Sequence, residues 1–225
     1  MYVRYFKRIL DIAIALVAIV ILAPLLLAIA LAIVGSGERE VVYRQQRIGY
    51  RKKYFNIWKF ATMHRDSPKM QGGYFTTRND PRVTRIGRWL RRTKLNELPQ
   101  FINVLNGTMS LVGPRPLVDE TFNAYSDEEQ AIISRLKPGI TGIGSLVFRD
   151  EEKWLSATAV NPKVFYFQHI APYKAALEIW YAAHCTFSTD LLLLFLTVWT
   201  IPFPHSHLHY RIFKDLPTRP AVLES

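Results

Sequence analysis

The longest apolar run spans Ile12 to Val34 without one charged side chain. As a helix it would be roughly 34 Å long against a hydrocarbon core of about 30 Å, enough to cross. Pro24 sits near its middle and has no N–H for the helical ladder. Arg4, Lys7 and Arg8 precede the run and Arg39, Arg44 and Arg47 follow it, so both flanks carry the positive charge of a cytoplasmic side. Two geometries fit this pattern: a straight spanning helix, or a helix broken at Ala23-Pro24 that enters one leaflet and returns. A cleaved leader fits less well, because the run is longer than a signal-peptide core and leads straight into folded-type sequence.

From Val41 the pattern changes to short aromatic and β-branched runs. Val41-Val42-Tyr43 and Tyr54 to Phe60, separated by Arg47-Ile48-Gly49-Tyr50, predict a small hairpin, and Asp66 to Asn79, with Pro68, Gly72 and Gly73, predicts a loop. Asp80-Pro81 then reads as an N-cap followed by proline at the first helical position. Val83, Ile86 and Leu90 would form the apolar stripe of that helix, with Arg82, Arg85, Arg88, Arg91 and Arg92 on the remainder. Such a face suits bulk solvent, phosphate groups or anionic lipid.

Thr93 to Gln100 joins this basic helix to an apolar one. Pro99 is best tolerated in a first helical turn, which predicts Asn96 as N-cap and Glu97 as the first helical residue, with Leu98, Phe101, Ile102 and Leu105 on one face. The unpaired N–H groups of that turn would suit an anion such as phosphate, although Asn and Glu are also ordinary capping residues there. Arg91 and Arg92 lie nearest to it in sequence. Further on, two prolines restrict Arg115 in Gly113-Pro114-Arg115-Pro116, offering its guanidinium for bidentate phosphate contact with little entropy to lose. Ser126 and Glu129 form a capping box for a helix ending before Pro138-Gly139. Gly139, Gly142 and Gly144 predict a loop able to approach a ligand closely. Leu191 to Phe203 is too short for an ordinary span and suits an interface or a core. His205, His207 and His209 would share one face of a strand as metal ligands, or form a polar tail.

Composition narrows the partners. The 225 residues suit one or two domains, and 49 % hydrophobic content points towards a membrane. With 29 Lys+Arg against 18 Asp+Glu, the net charge of +11 favours anionic partners: nucleic acid, acidic lipid or a phosphorylated substrate. No nucleic-acid reader motif accompanies that charge, so no nucleic-acid partner is expected. One cysteine, Cys185, excludes an internal disulfide and agrees with a reducing compartment.

Six motifs in order resemble the bacterial sugar transferase family, the small monotopic phosphoglycosyl transferases. They are Tyr43-Arg44-Gln45-Gln46-Arg47-Ile48-Gly49, Trp58 to Met63, Arg82 to Gly87, Leu95 to Gln100, Met109 to Pro116, and Lys137 to Gly142, and they follow the broken N-terminal segment. The resemblance covers essentially the whole chain. It implies an α+β, mainly helical monotopic membrane protein, with residues 1–37 as a re-entrant anchor and 38–225 as a small cytoplasmic catalytic-type domain carrying an interfacial C-terminal helix. It further implies a place on the cytoplasmic face of the bacterial inner membrane, among membrane lipids. Sugar-1-phosphate would pass from a nucleotide sugar, usually a UDP-sugar, to polyprenol phosphate with release of UMP, at the start of glycoconjugate or exopolysaccharide assembly. Self-association into a homo-oligomer stays open.

In the family an Asp-Glu pair opens the helix: the Asp attacks the sugar-bearing phosphorus and the Glu helps to hold Mg²⁺. The resemblance places Asn96 at the nucleophile position, Glu97 at the metal position, and Arg91, Arg115 and Arg149, with Lys59 from the Trp58-Lys59-Phe60 motif, at the phosphate or substrate. An Asp of reference pKa about 3.9 is charged at pH 7, whereas an amide is neutral and a poor oxygen nucleophile. Losing a nucleophile that works within a unit can cost on the order of 10⁶ in rate. Ala23 and Ala61 also depart from the Ser and Arg that the family commonly has there. Two readings remain: a transferase in which the acceptor phosphate attacks the donor directly or another phosphoryl donor is used, and a non-catalytic relative that binds nucleotide sugar or lipid phosphate as a regulator.

Overall fold

A computed structural model describes residues 2–37, 40–67, 80–158 and 160–223. Arg39 and the predicted loop from Pro68 to Asn79 lie outside the described residues. The rest is mainly helical with two small sheets, an α+β architecture.

Helix α1 spans Lys7–Gly35 and continues without interruption through Pro24, so the break expected at Ala23-Pro24 is not present in the helix. Its apolar side chains serve two different surroundings. Towards the N-terminus, Lys7 pairs with Asp190, Arg8 donates to Val104 O at 2.6 Å and Leu105 O at 2.9 Å, and Asp11 Oδ1 accepts from Leu111 N at 3.0 Å. Towards the C-terminus, Ile29 and Ile33 pack with Phe60 and Leu90, with Leu25, Leu26, Ile86, Leu95 and Leu98 alongside. Both ends of the helix therefore dock on one body. Leu16, Val17, Val20, Ile21, Leu27 and Leu31 remain exposed between and around those contacts.

The hairpin expected from the aromatic runs is present and longer than expected. Strand β1, Val42–Ile48, pairs antiparallel with β2, Tyr54–Phe60, in the register Arg44 to Trp58 and Ile48 to Tyr54. Helix α2 is Arg85–Thr93, four residues later than Asp80-Pro81 implied. The cause is tertiary: residues 80–83 form a turn closed by Val83 N donating to Asp80 O, Met63 and Val83 form a bridge, and Thr84 N donates to Thr62 O, so residues 83–84 are held beside 62–63. Asp80 instead accepts from Arg82, and the Thr84 hydroxyl caps α2 by accepting from Gly87 N at 2.8 Å.

A six-residue helix α3, Gln100–Leu105, leads into β3, Ser110–Val112, then α4, Asp119–Phe122, and α5, Asp127–Ile133, whose predicted capping box is formed. Strand β4, Gly139–Thr141, lies parallel to β3, pairing Ser110 with Gly139 and Val112 with Thr141. The glycines read as a ligand-approaching loop do different work. A Cβ on Gly139 would lie 2.1 Å from Gly113 N and one on Gly142 would lie 2.3 Å from Gly113 O. Backbone approaches these two, and the Glu178 side chain occupies the space beside Gly144.

Helices α6, Ile143–Val147, α7, Glu151–Ala157, α8, Pro162–Phe165, α9, Ala171–Ala183, and α10, Phe187–Trp199, surround this pair of strands. Their core includes Val112, Ile143, Ile170, Leu177, Leu193 and Leu196. Helix α10 buries Leu193 and Leu196 and exposes Leu191, Leu192, Phe195 and Val198, half core and half outward apolar surface. The histidines share no strand: His205 lies in a turn, His207 precedes helix α11, Leu208–Ile212, and His209 is within it, with His209 buried and His205 and His207 exposed. Among the described residues no cluster of three or more His, Cys, Asp or Glu side chains is placed to hold a metal.

Gly139→Ala should force the two parallel strands apart and lower stability by about 1–3 kcal/mol. Unfolding by urea in nanodiscs, compared with the exposed Gly35→Ala, measures it; equal stability of the two variants would contradict the close backbone packing.

Candidate active site

Three chain segments meet at Glu97. The first is the end of β2, the second the link between α2 and α3, and the third the Pro-Arg-Pro turn after β3. Lys94, with φ +60°, terminates α2 in the left-handed region. Leu95–Glu97 then forms a tight 3₁₀ turn before Pro99 and α3. Asn96 is accordingly no N-cap. Residues 95–97 are already turned to carry Leu95 and Leu98 onto α1, so no extended residue remains at 96 to reach forward. The short α3 does not supply the expected helix-end anion site; the site is built from side chains.

Lys59 Nζ donates to Glu97 Oε1 at 2.9 Å and Arg115 Nη2 donates to the same oxygen at 3.1 Å. No hydrogen bond from the described residues reaches Oε2. Burial disfavours the Glu97 charge, but Lys59, Arg115 and Lys94 outweigh it and hold the carboxyl well below its usual range. Burial in turn pushes the Lys59 ammonium down to about 8, against the opposing pull of Glu97.

Asn96 is buried, and its Oδ1 accepts no hydrogen bond. An unpaired buried polar atom costs about 1–3 kcal/mol, which marks this side chain as poorly served by the fold itself. Arg91 does not reach Glu97: its Nε donates to Thr62 Oγ1 at 3.0 Å and its Nη1 to Glu152 at 3.2 Å. Arg149 donates to Thr200 Oγ1 at 2.9 Å, on the side of α10. Arg92 is exposed. Of the six site residues anticipated, Lys59, Glu97 and Arg115 are in direct contact, Asn96 adjoins them in the chain, and Arg91 and Arg149 are held by other partners.

Several residues had not been singled out for a role. Arg47 on β1 donates to Gln45 Oε1 at 2.5 Å and to Pro116 O at 3.3 Å, and its Nε is buried without a partner. Burial and the neighbouring Arg115 push its guanidinium down to about 10. Its place in the Tyr43 to Gly49 motif was the available signal. Lys174 on α9 pairs with Glu151 and lies over the rings of Phe148 and Tyr166, at 5.1 and 5.2 Å from their centroids. Neither Lys174 nor its neighbour Glu178 had any motif to reveal it.

A carboxylate held between two half-buried cations thus sits on a body whose long apolar helix is exposed between its docked ends. The chain belongs to the bacterial sugar transferase family, whose model matches residues 2–203. It is 43 % identical over 157 residues, 64 % of this chain, to the undecaprenyl-phosphate glucose phosphotransferase of Komagataeibacter xylinus, covering 30 % of that protein. It is 35 % identical over 198 residues, 86 % of this chain, to the UDP-glucose:undecaprenyl-phosphate glucose-1-phosphate transferase of Klebsiella pneumoniae, covering 39 % of it. With the exopolysaccharide production protein ExoY of Sinorhizobium fredii it shares 33 % identity over 169 residues, 69 % of this chain and 74 % of that one. The chain thus spans between 30 and 39 % of the length of the first two relatives.

Because the Glu97 carboxyl is held down in the folded state, its stabilisation is present above the ordinary pKa near 4.5 and is lost as pH falls below it. Unfolding measured from pH 7 down to about pH 3 should show that loss in the natural chain. Glu97→Gln should lack this component of the slope, and should be less stable at pH 7 by about 3 kcal/mol because Lys59 and Arg115 are left facing each other. Parallel pH profiles would contradict the assignment.

Proposed function

We propose that this chain is a membrane-bound phosphoglycosyl transferase-type protein that passes sugar-1-phosphate from a UDP-sugar to polyprenol phosphate, releasing UMP. The observation that carries the reading is the junction at Glu97, where Lys59 and Arg115 converge on one carboxylate beside the unpartnered Asn96. Half-buried cations held ready by a carboxylate can exchange that partner for phosphate oxygens with little reorganisation. The names of the relatives supply the substrate class: undecaprenyl phosphate as acceptor and UDP-glucose as donor in the Klebsiella protein.

Residues 1–37 serve as the anchor and the remainder as the catalytic-type domain, on the cytoplasmic face of the inner membrane. The docking of both ends of α1 on one body supports a monotopic placement with both ends of the helix on one side of the bilayer, because a straight span would carry them to opposite sides. The outward face of α10 extends the same apolar surface. Glu97 Oε2, together with oxygens of the donor diphosphate, suits Mg²⁺, which binds through one or two carboxylates and substrate phosphates; the ion would neutralise charge on the diphosphate. Lys59 and Arg115 bind and orient the transferred phosphate, and Arg47 backs the turn that carries Arg115.

Asn96 decides the chemistry. A neutral amide cannot form the phosphosugar intermediate expected of an aspartate, so transfer in this chain proceeds by attack of an acceptor phosphate oxygen on the sugar-bearing phosphorus, with the bond to UMP breaking. The same amide favours a second reading, a relative that binds donor or lipid phosphate without turnover. UMP release in nanodiscs with Mg²⁺, polyprenol phosphate and a panel of UDP-sugars separates them. Asn96→Asp should raise the rate by about 10³-fold or more. Activity of the Asn form that depends on Glu97 supports direct transfer, binding without turnover supports the second reading, and absence of both activity and binding in either form rejects the proposed function.

A further inference from the structure

The turn Pro114-Arg115-Pro116 has a single backbone N–H, that of Arg115, because neither proline has one to give. That N–H donates to Glu178 Oε1 at 3.2 Å, across from α9. Glu178 is 3 % exposed, and its Oε2 is buried without a partner. The flanking groups are held as well. Pro114 O accepts from Gly139 N at 2.9 Å on β4, and Pro116 O accepts from Arg47 at 3.3 Å on β1. Three successive residues are thus fixed by three different elements, and Glu178 holds the middle one.

The surroundings have made way for this carboxyl. A Cβ on Gly144 would lie 2.4 Å from Glu178 Oε1, so α6 passes with a glycine at the point of contact. Glu178 and Arg115 also line one small cavity with Gly49 and Pro114. We infer that Glu178 is a positioning residue: it holds the Arg115 backbone through the only N–H of the turn, and so aims the Arg115 guanidinium at Glu97 and the donor phosphates. This inference rests on the proposed function for its ligand and on geometry alone for its hold on Arg115.

The charge state of Glu178 adds a signature that mere packing would not give. The charged and titratable groups facing it are Arg115 from the turn, Lys174 one turn earlier on α9, and Tyr125 before α5; Gly144 brings none from α6. Burial pushes its carboxyl up to about 7, against the opposing effects of the Arg115 backbone N–H, Lys174 and the Arg115 charge. Below that pH the side chain is neutral. Above it a second anion faces Arg115 and competes with phosphate for its field.

Two measurements on the full chain in nanodiscs test this. Backbone hydrogen exchange at Arg115, read from peptides spanning 111–117, should accelerate about tenfold or more in Glu178→Ala and stay protected in Glu178→Gln, whose amide oxygen still accepts the bond. Equal protection in all three proteins overturns the positioning role. The affinity for UDP-glucose, whose diphosphate diester keeps a constant charge, should weaken about twofold between about pH 5 and 7, where the Lys59 ammonium is still mostly protonated, and should be flat in Glu178→Gln. An identical pH profile in Glu178→Gln overturns the electrostatic part. If the natural chain binds no UDP-sugar at all, the proposed function fails, while the exchange measurement still decides the hold on Arg115.

Discussion

The carboxylate of Glu97 is the constraint on which the rest of the site depends. Neighbouring cations repel one another and lose hydration as they are partly buried, and at the junction of Lys59, at the end of the hairpin, with Arg115, in the Pro-Arg-Pro turn, a shared anion offsets both losses. Glu97 supplies it from the link between two helices. One oxygen therefore ties together segments that are 18 and 38 residues distant from it along the chain. The unusual backbone around it, from the left-handed Lys94 to the 3₁₀ turn, is the route by which the chain delivers that carboxyl while keeping Leu95 and Leu98 on the apolar side.

Asn96 shows how closely charge and shape can be separated at such a junction. The amide occupies the space of a carboxylate and leaves the turn intact, yet carries no charge and finds no hydrogen bond. A carboxylate there would be a second anion beside Lys59, Lys94 and Arg115, and its absence leaves the cluster more positive. Under the proposed function, holding phosphate and supplying a nucleophile are distinct requirements, of which the Lys59–Glu97–Arg115 junction addresses the first.

What the sequence made legible were features settled by local chemistry. The hairpin followed from β-branched and aromatic runs, the capping box from Ser126 and Glu129, and the contact of Lys59, Glu97 and Arg115 from motifs that resemble a known family. Tertiary contacts hid the remainder. The start of α2 moved because Val83 pairs with Met63, and the apparent cap at Asn96 gave way to the burial of its leucine neighbours. The glycines after Pro138 answered to close backbone packing, which no local pattern announces. Glu178 was the least visible, a lone carboxylate on an otherwise ordinary helix whose role exists only once residue 115 is beside it.

The docking of α1 bears on how the chain is made. Its Lys7 pairs with Asp190, 183 residues later, and Asp190 also accepts from the Tyr2 and Tyr181 hydroxyls. Arg8 and Asp11 find their partners about 100 residues on, around Val104 to Leu111, whereas Lys7 is matched only once the much more distant Asp190 is in place. Closing so long a loop is entropically unfavourable until the intervening body has folded and shortened the search. The N-terminal end of α1 is consequently fastened in two stages, first to the segment around residues 104–111 and then, through Lys7, to α10.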